Sequence, residues 1–274
     1  MINLPSIAIL GTGSMGGAIL SGLLSPQVTV DGGIRVTNRT EAKAAALRTG
    51  TVTSLSSELD PDANLAAVAG ASIVLVAVKP AMVPGVLHQI ADVVDPGAIV
   101  VCVAAGVTIA TMEAIVSVPV LRAMPNTPST VGRGVTGLSA GPRATPEQVD
   151  AASALFGTVG EVLVVPEEQI DALSTISGSG PAYVFSLIES LTRTAMNHGF
   201  TLGQSRVLVE STFLGASELL AASGETPTEL RRRVTSPGGT TAQAIAVIEE
   251  ADLTAVFDRA TGAALARAVE LSAG

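Results

Sequence analysis

Over residues 1–165 the apolar positions fall into short β-branched runs separated by helical spacings, and from residue 166 onward they recur at helical spacing alone. The early runs close on Gly, Pro or a polar turn, which predicts strands at 6–10, 34–37, 73–78, 98–103 and 118–124. Helices are expected between them at 15–24, 41–48, 64–68 and 81–90, the last opened by Pro80. The stretch after residue 48 reads as a polar linker. Short strands at 135–138 and 161–165 flank a helix at 146–156. Continuous Val, Ile and Leu runs alternating with helices are expected of a mostly parallel sheet buried on both faces. The expected architecture is an α/β Rossmann-type domain over residues 1–165, followed by an all-α domain over residues 166–274.

The helices expected in that second part lie at 167–174, 181–197, 203–222, 228–234, 240–249 and 253–271. Many carry Ala, Leu and Val on more than one face. A helix apolar all round must be buried, and about 110 residues are too few to bury them all. The helical domain is therefore expected to pack against a second copy of itself.

Gly11, Gly13 and Gly16 stand in GTGSMGGA, directly after the first strand and before the first helix. That is the G-x-G-x-x-G spacing of a dinucleotide loop, in the context that gives the pattern meaning. NAD-specific units place an acidic residue at the end of the second strand. Here that end reads Thr37, Asn38, Arg39, Thr40, and Asp31 falls before the strand. Arg39 with amide and hydroxyl donors suits a 2′-phosphate, which favours NADPH over NADH; a plain solvated surface charge is the competing account. Lys79 follows the third strand, the small residues AAG close the fourth, and Asn126-Thr127 sits between prolines after the fifth. All four strand ends face one edge, where open α/β sheets bind ligands.

The late segment RRRVTSPGGTTAQA, residues 231–244, runs from a Pro-Gly-Gly turn into Thr240 and Thr241. Free N–H groups at a helix start attract a carboxylate or phosphate. On composition alone an ordinary cap between two helices accounts for it as simply.

Composition narrows the chemistry. Aromatic residues make up 2% of the chain, so the core is aliphatic. Net charge is −9, which argues against nucleic acid and anionic membrane surfaces as partners. Cys102 is the only cysteine, and the two histidines, His88 and His198, have no partners at catalytic or metal-ligand spacing. No metal site is expected. The N-terminus lacks a basic signal-peptide region and the apolar stretches are too short to span a bilayer, so a cytoplasmic protein is expected. A nicotinamide would carry the reactive atom, acting on an electron-poor carbon in a substrate with an anionic handle. A protonated cyclic imine bearing a carboxylate meets that description.

The motifs GTGSMGGA, TNRT, AVKP, CVAAGV, MPNTP, SGSGPAY and VTSPGGTTAQAI, in this order and nearly end to end, resemble Δ1-pyrroline-5-carboxylate reductase. The resemblance implies reduction of pyrroline-5-carboxylate to L-proline by NADPH or NADH, on a homodimer joined through the C-terminal helices and often assembled into decamers. It implies that Ser236, Gly238, Gly239, Thr240 and Thr241 hold the substrate carboxylate, with Thr241 also reaching the ring nitrogen as the catalytic contact. Val234 would flank the ring, and Ser174 and Glu225 would complete the substrate site. Gly11, Thr12, Gly13, Ser14, Met15, Gly16, Asn38, Arg39, Thr40, Ala77, Lys79, Ala104 and Asn126 would line the cofactor. Thr240 stands where some members have Ala. Two rivals are weighed beside it. β-Hydroxyacid dehydrogenases use a lysine in the second domain, and this chain has none after Lys79. A non-catalytic NADP sensor would have no need of the SPGGTT turn.

Overall fold

The computed structural model describes the backbone of residues 1–273 and the side chains of residues 1–270. The chain opens with β1 (Ile2–Leu4), β2 (Ile7–Leu10), α1 (Ser14–Leu23), β3 (Val28–Val30), β4 (Ile34–Asn38), α2 (Glu41–Leu47) and β5 (Val52–Ser56). It continues through α3 (Ala63–Val68), β6 (Ile73–Val76), α4 (Val83–Ile90), β7 (Ile99–Cys102), α5 (Ile109–Glu113) and β8 (Val120–Met124). Then come β9 (Gly134–Ala140), α6 (Pro146–Gly157), β10 (Gly160–Val164) and α7 (Ile170–Leu173). The remainder is helical: α8 (Gly180–Asn197), α9 (Leu202–Ser223), α10 (Pro227–Arg233), α11 (Thr240–Glu250) and α12 (Leu253–Ala273).

Eight strands form one sheet in the order β5-β4-β2-β6-β7-β8-β9-β10, every neighbouring pair parallel except β8 with β9. The first six follow the doubly wound dinucleotide-binding order, which reverses direction between β2 and β6. β2 explains why it takes the centre. Ala8 and Leu10 join the apolar layer under α3, α4 and α5, while Ile7 and Ile9 join the layer under α1 and α6. All four are fully buried. At roughly 1.5–3 kcal/mol for each large aliphatic side chain, β2 anchors both layers.

The structure adds elements that the apolar pattern does not reveal. β1 and β3, three residues each, pair with one another in a separate two-stranded sheet. The expected polar linker contains the edge strand β5, where Ser54 and Ser56 point inward with Val52 and are buried. Hydroxyls stand there where an alternating pattern would show apolar residues. The helix expected at 81–90 begins with a 3₁₀ turn, Pro80–Met82, and becomes α-helical at Val83. The one expected at 167–174 is a 3₁₀ turn, Glu167–Gln169, then α7, then a π-turn, Ser174–Gly178.

The chain divides into two compact units, one of Met1–Ser179 with the stretch from Leu265 onward, the other Gly180–Ala264. Residues 166–179 therefore belong with the sheet and not with the helices that follow. Ile170 is fully buried, and Leu173 fills the space beside Gly137 of β9, where an added Cβ would come within 2.7 Å of it. In the second unit α8 packs on α9, and the Tyr183 and Phe257 rings meet at 6.1 Å. Among the described residues of that unit only Ser205 and Val209 are buried. Among the described residues no helix is long and apolar enough to cross a membrane.

Candidate active site

The carboxyl end of β2 turns into α1 through glycines that the backbone requires. Gly11 sits at φ +94°, where an L side chain is strained. An added Cβ at Gly16 would lie 2.2 Å from the Gly11 carbonyl oxygen, so only glycine lets α1 pack this closely on the strand end. An added Cβ at Gly13 would meet nothing within 4 Å. Gly13 is the N-cap of α1 and supplies no side-chain acceptor, and the first turn holds no acidic residue. The N–H groups of Ser14, Met15 and Gly16 are thus left for an anion.

Next to this cradle, β4 ends in a second built feature. Thr12 donates its hydroxyl hydrogen to Asn38 Oδ1 at 2.5 Å. Asn38 is 6% exposed, and its Nδ2 has no hydrogen-bond partner. Thr12 therefore fixes the amide so that an unused donor remains buried at the strand end, a costly arrangement unless a ligand accepts it. Arg39 is exposed and has no ion pair among the described residues, and Thr40 is the N-cap of α2 without a side-chain bond. Ala77 packs against α1 at Gly16, Lys79 is exposed at the start of the Pro80–Met82 turn, and Ala104 is buried after β7. These residues gather on the carboxyl edge of the sheet.

Asn126 lies after the same edge but is engaged within the protein. Its Oδ1 accepts the Val135 N–H at 2.8 Å and its Nδ2 donates to the Ser177 carbonyl at 2.9 Å. One strand back, Arg122 of β8 is buried, with Asp171 at 2.5 Å and Glu167 at 3.4 Å. Glu167 also accepts the Ile109 N–H, at 2.7 Å. Sequence reasoning passed over Arg122, although an arginine inside the apolar run VLRAM was a visible signal. Cys102 beside it is a buried thiol whose pKa is pushed up to about 11 by burial, so it remains protonated and inert.

In the second unit the Pro-Gly-Gly turn leads into α11. Gly239 is its N-cap, with no side-chain cap, and Thr240 and Thr241 are its first two residues. Ser236 closes the turn by accepting the Gly239 N–H on its carbonyl at 3.0 Å, and Gly238 has φ +71°. Arg231 and Glu249 meet at 2.7 Å and join α10 to α11 around this turn. Val234, at the C-terminus of α10, is 65% exposed. Glu225 binds Arg233 through Oε1 at 2.8 Å, while its buried Oε2 has no partner. The substrate residues expected from 225 to 241 thus lie in the helical unit. Ser174 lies in the sheet unit, in the π-turn. Among the described residues no group of His, Cys, Asp or Glu could hold a metal ion.

A family model described as pyrroline-5-carboxylate reductase dimerisation matches residues 167–271. Another, described as NADP oxidoreductase, coenzyme F420-dependent, matches residues 6–106. The chain is 38% identical over 271 residues to a pyrroline-5-carboxylate reductase of Corynebacterium melassecola, covering 97% of this chain and 98% of the relative. To the reductase of Escherichia coli K12 it is 32% identical over 268 residues, covering 97% and 98%. A solved pyrroline-5-carboxylate reductase from Coxiella burnetii superposes with a TM-score of 0.89 at 35% identity, covering 97% of this chain and 98% of that one. The fold extends to a Plasmodium falciparum pyrroline carboxylate reductase with NADP bound, at TM-score 0.80 and 24% identity over 97% of this chain and 98% of that one.

Proposed function

The chain belongs to the pyrroline-5-carboxylate reductase family, and on that premise we propose that it reduces the imine carbon of Δ1-pyrroline-5-carboxylate to give L-proline. The observation that carries the reading is the start of α11, where a glycine N-cap leaves the N–H groups of Thr240 and Thr241 without a side-chain acceptor. A carboxylate is the ligand that such a helix end suits.

The cofactor is a pyridine nucleotide, and the residues present fit one. The α1 N–H groups beside Gly13, where an added Cβ would meet nothing within 4 Å, would hold its pyrophosphate, and the unpartnered Asn38 Nδ2 would donate to its ribose. With no acidic side chain at positions 37–40 and Arg39 free of ion pairs, NADPH is preferred over NADH. Lys79 and Ala104 would line the remainder of the groove. When bound, the reduced nicotinamide supplies the hydride.

The chain's own residues bind and orient. Ser236, Gly238, Gly239, Thr240 and Thr241 would hold the substrate carboxylate, and Val234 would flank the ring. Thr241 would accept the hydrogen bond of the protonated ring nitrogen and set which face of the imine is presented. The free oxygen of Glu225 would balance that positive charge. An already protonated imine needs no general acid, which agrees with the lack of a histidine or lysine near the turn.

Oligomerisation is supported by the dimerisation model over residues 167–271 and by the nearly coreless second unit. A homodimer through the C-terminal helices, and its further assembly into a decamer, complete the proposal. The test is NADPH oxidation with and without pyrroline-5-carboxylate, repeated with NADH. Imine-dependent oxidation, faster with NADPH, supports the reading, and NADPH binding without turnover overturns it in favour of a sensor. Thr241→Ala should lower kcat/KM for the imine by about 100-fold while NADPH affinity stays near normal. Unchanged turnover would remove Thr241 from the site.

A further inference from the structure

Pro181 follows the π-turn and has no N–H. In a continuing α-helix the carbonyl of Ser177 would accept the N–H of the residue four positions on, which is this proline. The donor that Pro181 lacks is supplied from another part of the chain, since Asn126 Nδ2 meets the Ser177 carbonyl at 2.9 Å. The same amide accepts the Val135 N–H through Oδ1, and Asn126 is 7% exposed. One side chain therefore joins the turn after β8, the start of β9 and the π-turn.

The π-turn is fastened around this point. The Ser179 N–H closes it on the Ser174 carbonyl at 2.9 Å. The Thr175 and Ser177 hydroxyls bond back to the carbonyls of Ala172 and Leu173. An added Cβ at Gly178 would lie 3.1 Å from Ser174 Oγ and 3.4 Å from Met124 Cε, so the turn folds directly against the end of β8. Short π segments recur where a helix is reshaped for function. This one lies against Met124 at the carboxyl end of β8, on the sheet edge where the proposed cofactor site lies.

We propose that Asn126 is a positioning residue for the reduction, holding the Ser174–Gly178 π-turn in place through the Ser177 carbonyl, and not a ligand of the dinucleotide. The inference rests on the reductase reading, which wild-type turnover tests by itself. In Asn126→Asp the side chain keeps its shape but replaces the donor with a carboxylate oxygen facing a carbonyl. The expected result is a fall in kcat of about 10- to 100-fold, with the NADPH Kd, read from nicotinamide fluorescence, within about twofold of wild type. Amide exchange should quicken at residues 174–179 and stay unchanged in β7. If Asn126→Asp does not fold, Asn126→Ser, too short to reach Ser177, is measured in its place. A Kd that weakens in step with the loss of turnover makes Asn126 a cofactor ligand and overturns the proposal. So does unchanged kcat, or exchange that quickens across the whole sheet.

Discussion

The sheet unit and the helical unit are built from similarly apolar sequence, yet they treat it in opposite ways. The first buries its Ile, Leu and Val in two continuous layers on either side of the sheet. The second leaves Phe185, Leu187, Leu191, Val207, Leu208, Leu214 and Leu219 exposed and, among its described residues, buries Val209 as its only apolar side chain. Covering half a dozen such side chains contributes on the order of 10 kcal/mol, as much as the whole net stability of a typical domain. The difference teaches where each unit's core is completed. The sheet completes its core within one chain, whereas the helices leave apolar faces uncovered, in keeping with the proposed association with a second copy and with the dimerisation family model that matches residues 167–271.

The largest effect should come from denying the helices that partner. In Leu187→Glu with Leu191→Glu, two exposed leucines one turn apart on α8 become charges that cannot be buried unpaired. Light scattering should then report the mass of a single chain, with a loss of helical circular dichroism and of nearly all turnover. A fully active assembled variant would place the interface on another face. The sheet unit provides the counterpart. Phe156 of α6 is fully buried, and Phe156→Ala should cost roughly 3–5 kcal/mol in chemical unfolding. That loss should be the same at any protein concentration, whereas unfolding of the helical unit should depend on concentration. A concentration-independent transition for both units would end the comparison.

The same contrast explains what could be read from the sequence. β2, β6, β7 and β8 were legible because burial on both faces leaves almost unbroken aliphatic runs. β5 was not, because the small hydroxyl residues Ser54 and Ser56 occupy its inward positions. The three-residue β1 and β3 are too short to show a period. Spacing predicts one helix over 167–174, whereas the structure has a 3₁₀ turn, α7 and then a π-turn in which Thr175 and Ser177 bond back to their own backbone. Gly11 and Gly16 were legible because each performs a local backbone task. Partnerships across the chain could not, since Thr12 finds Asn38 at a separation of 26 residues and Asn126 finds Ser177 at 51. Asn126 accordingly looked like a cofactor contact, whereas the structure shows both ends of its amide bonded inside the protein.

The smallest effect concerns the surface charges that frame the SPGGTT turn. Glu229 has its pKa lowered to about 2, first by its hydrogen bonds from Arg232 and then by the charge of Arg232 and the contribution of Arg233. A carboxylate depressed in the folded state adds stability that is present above its unfolded pKa of about 4.5 and is lost as pH falls through about 2. The pair lies at the surface, with Arg232 exposed and Glu229 partly exposed, so solvent and salt screen most of that attraction. Glu229→Gln should therefore lower Tm only slightly at pH 7 and low salt, and the gap to wild type should close with added salt or on acidification between those two values. A carboxyl resonance of Glu229 that titrates at an ordinary glutamate value would show that the Arg232 pairing is not maintained in solution.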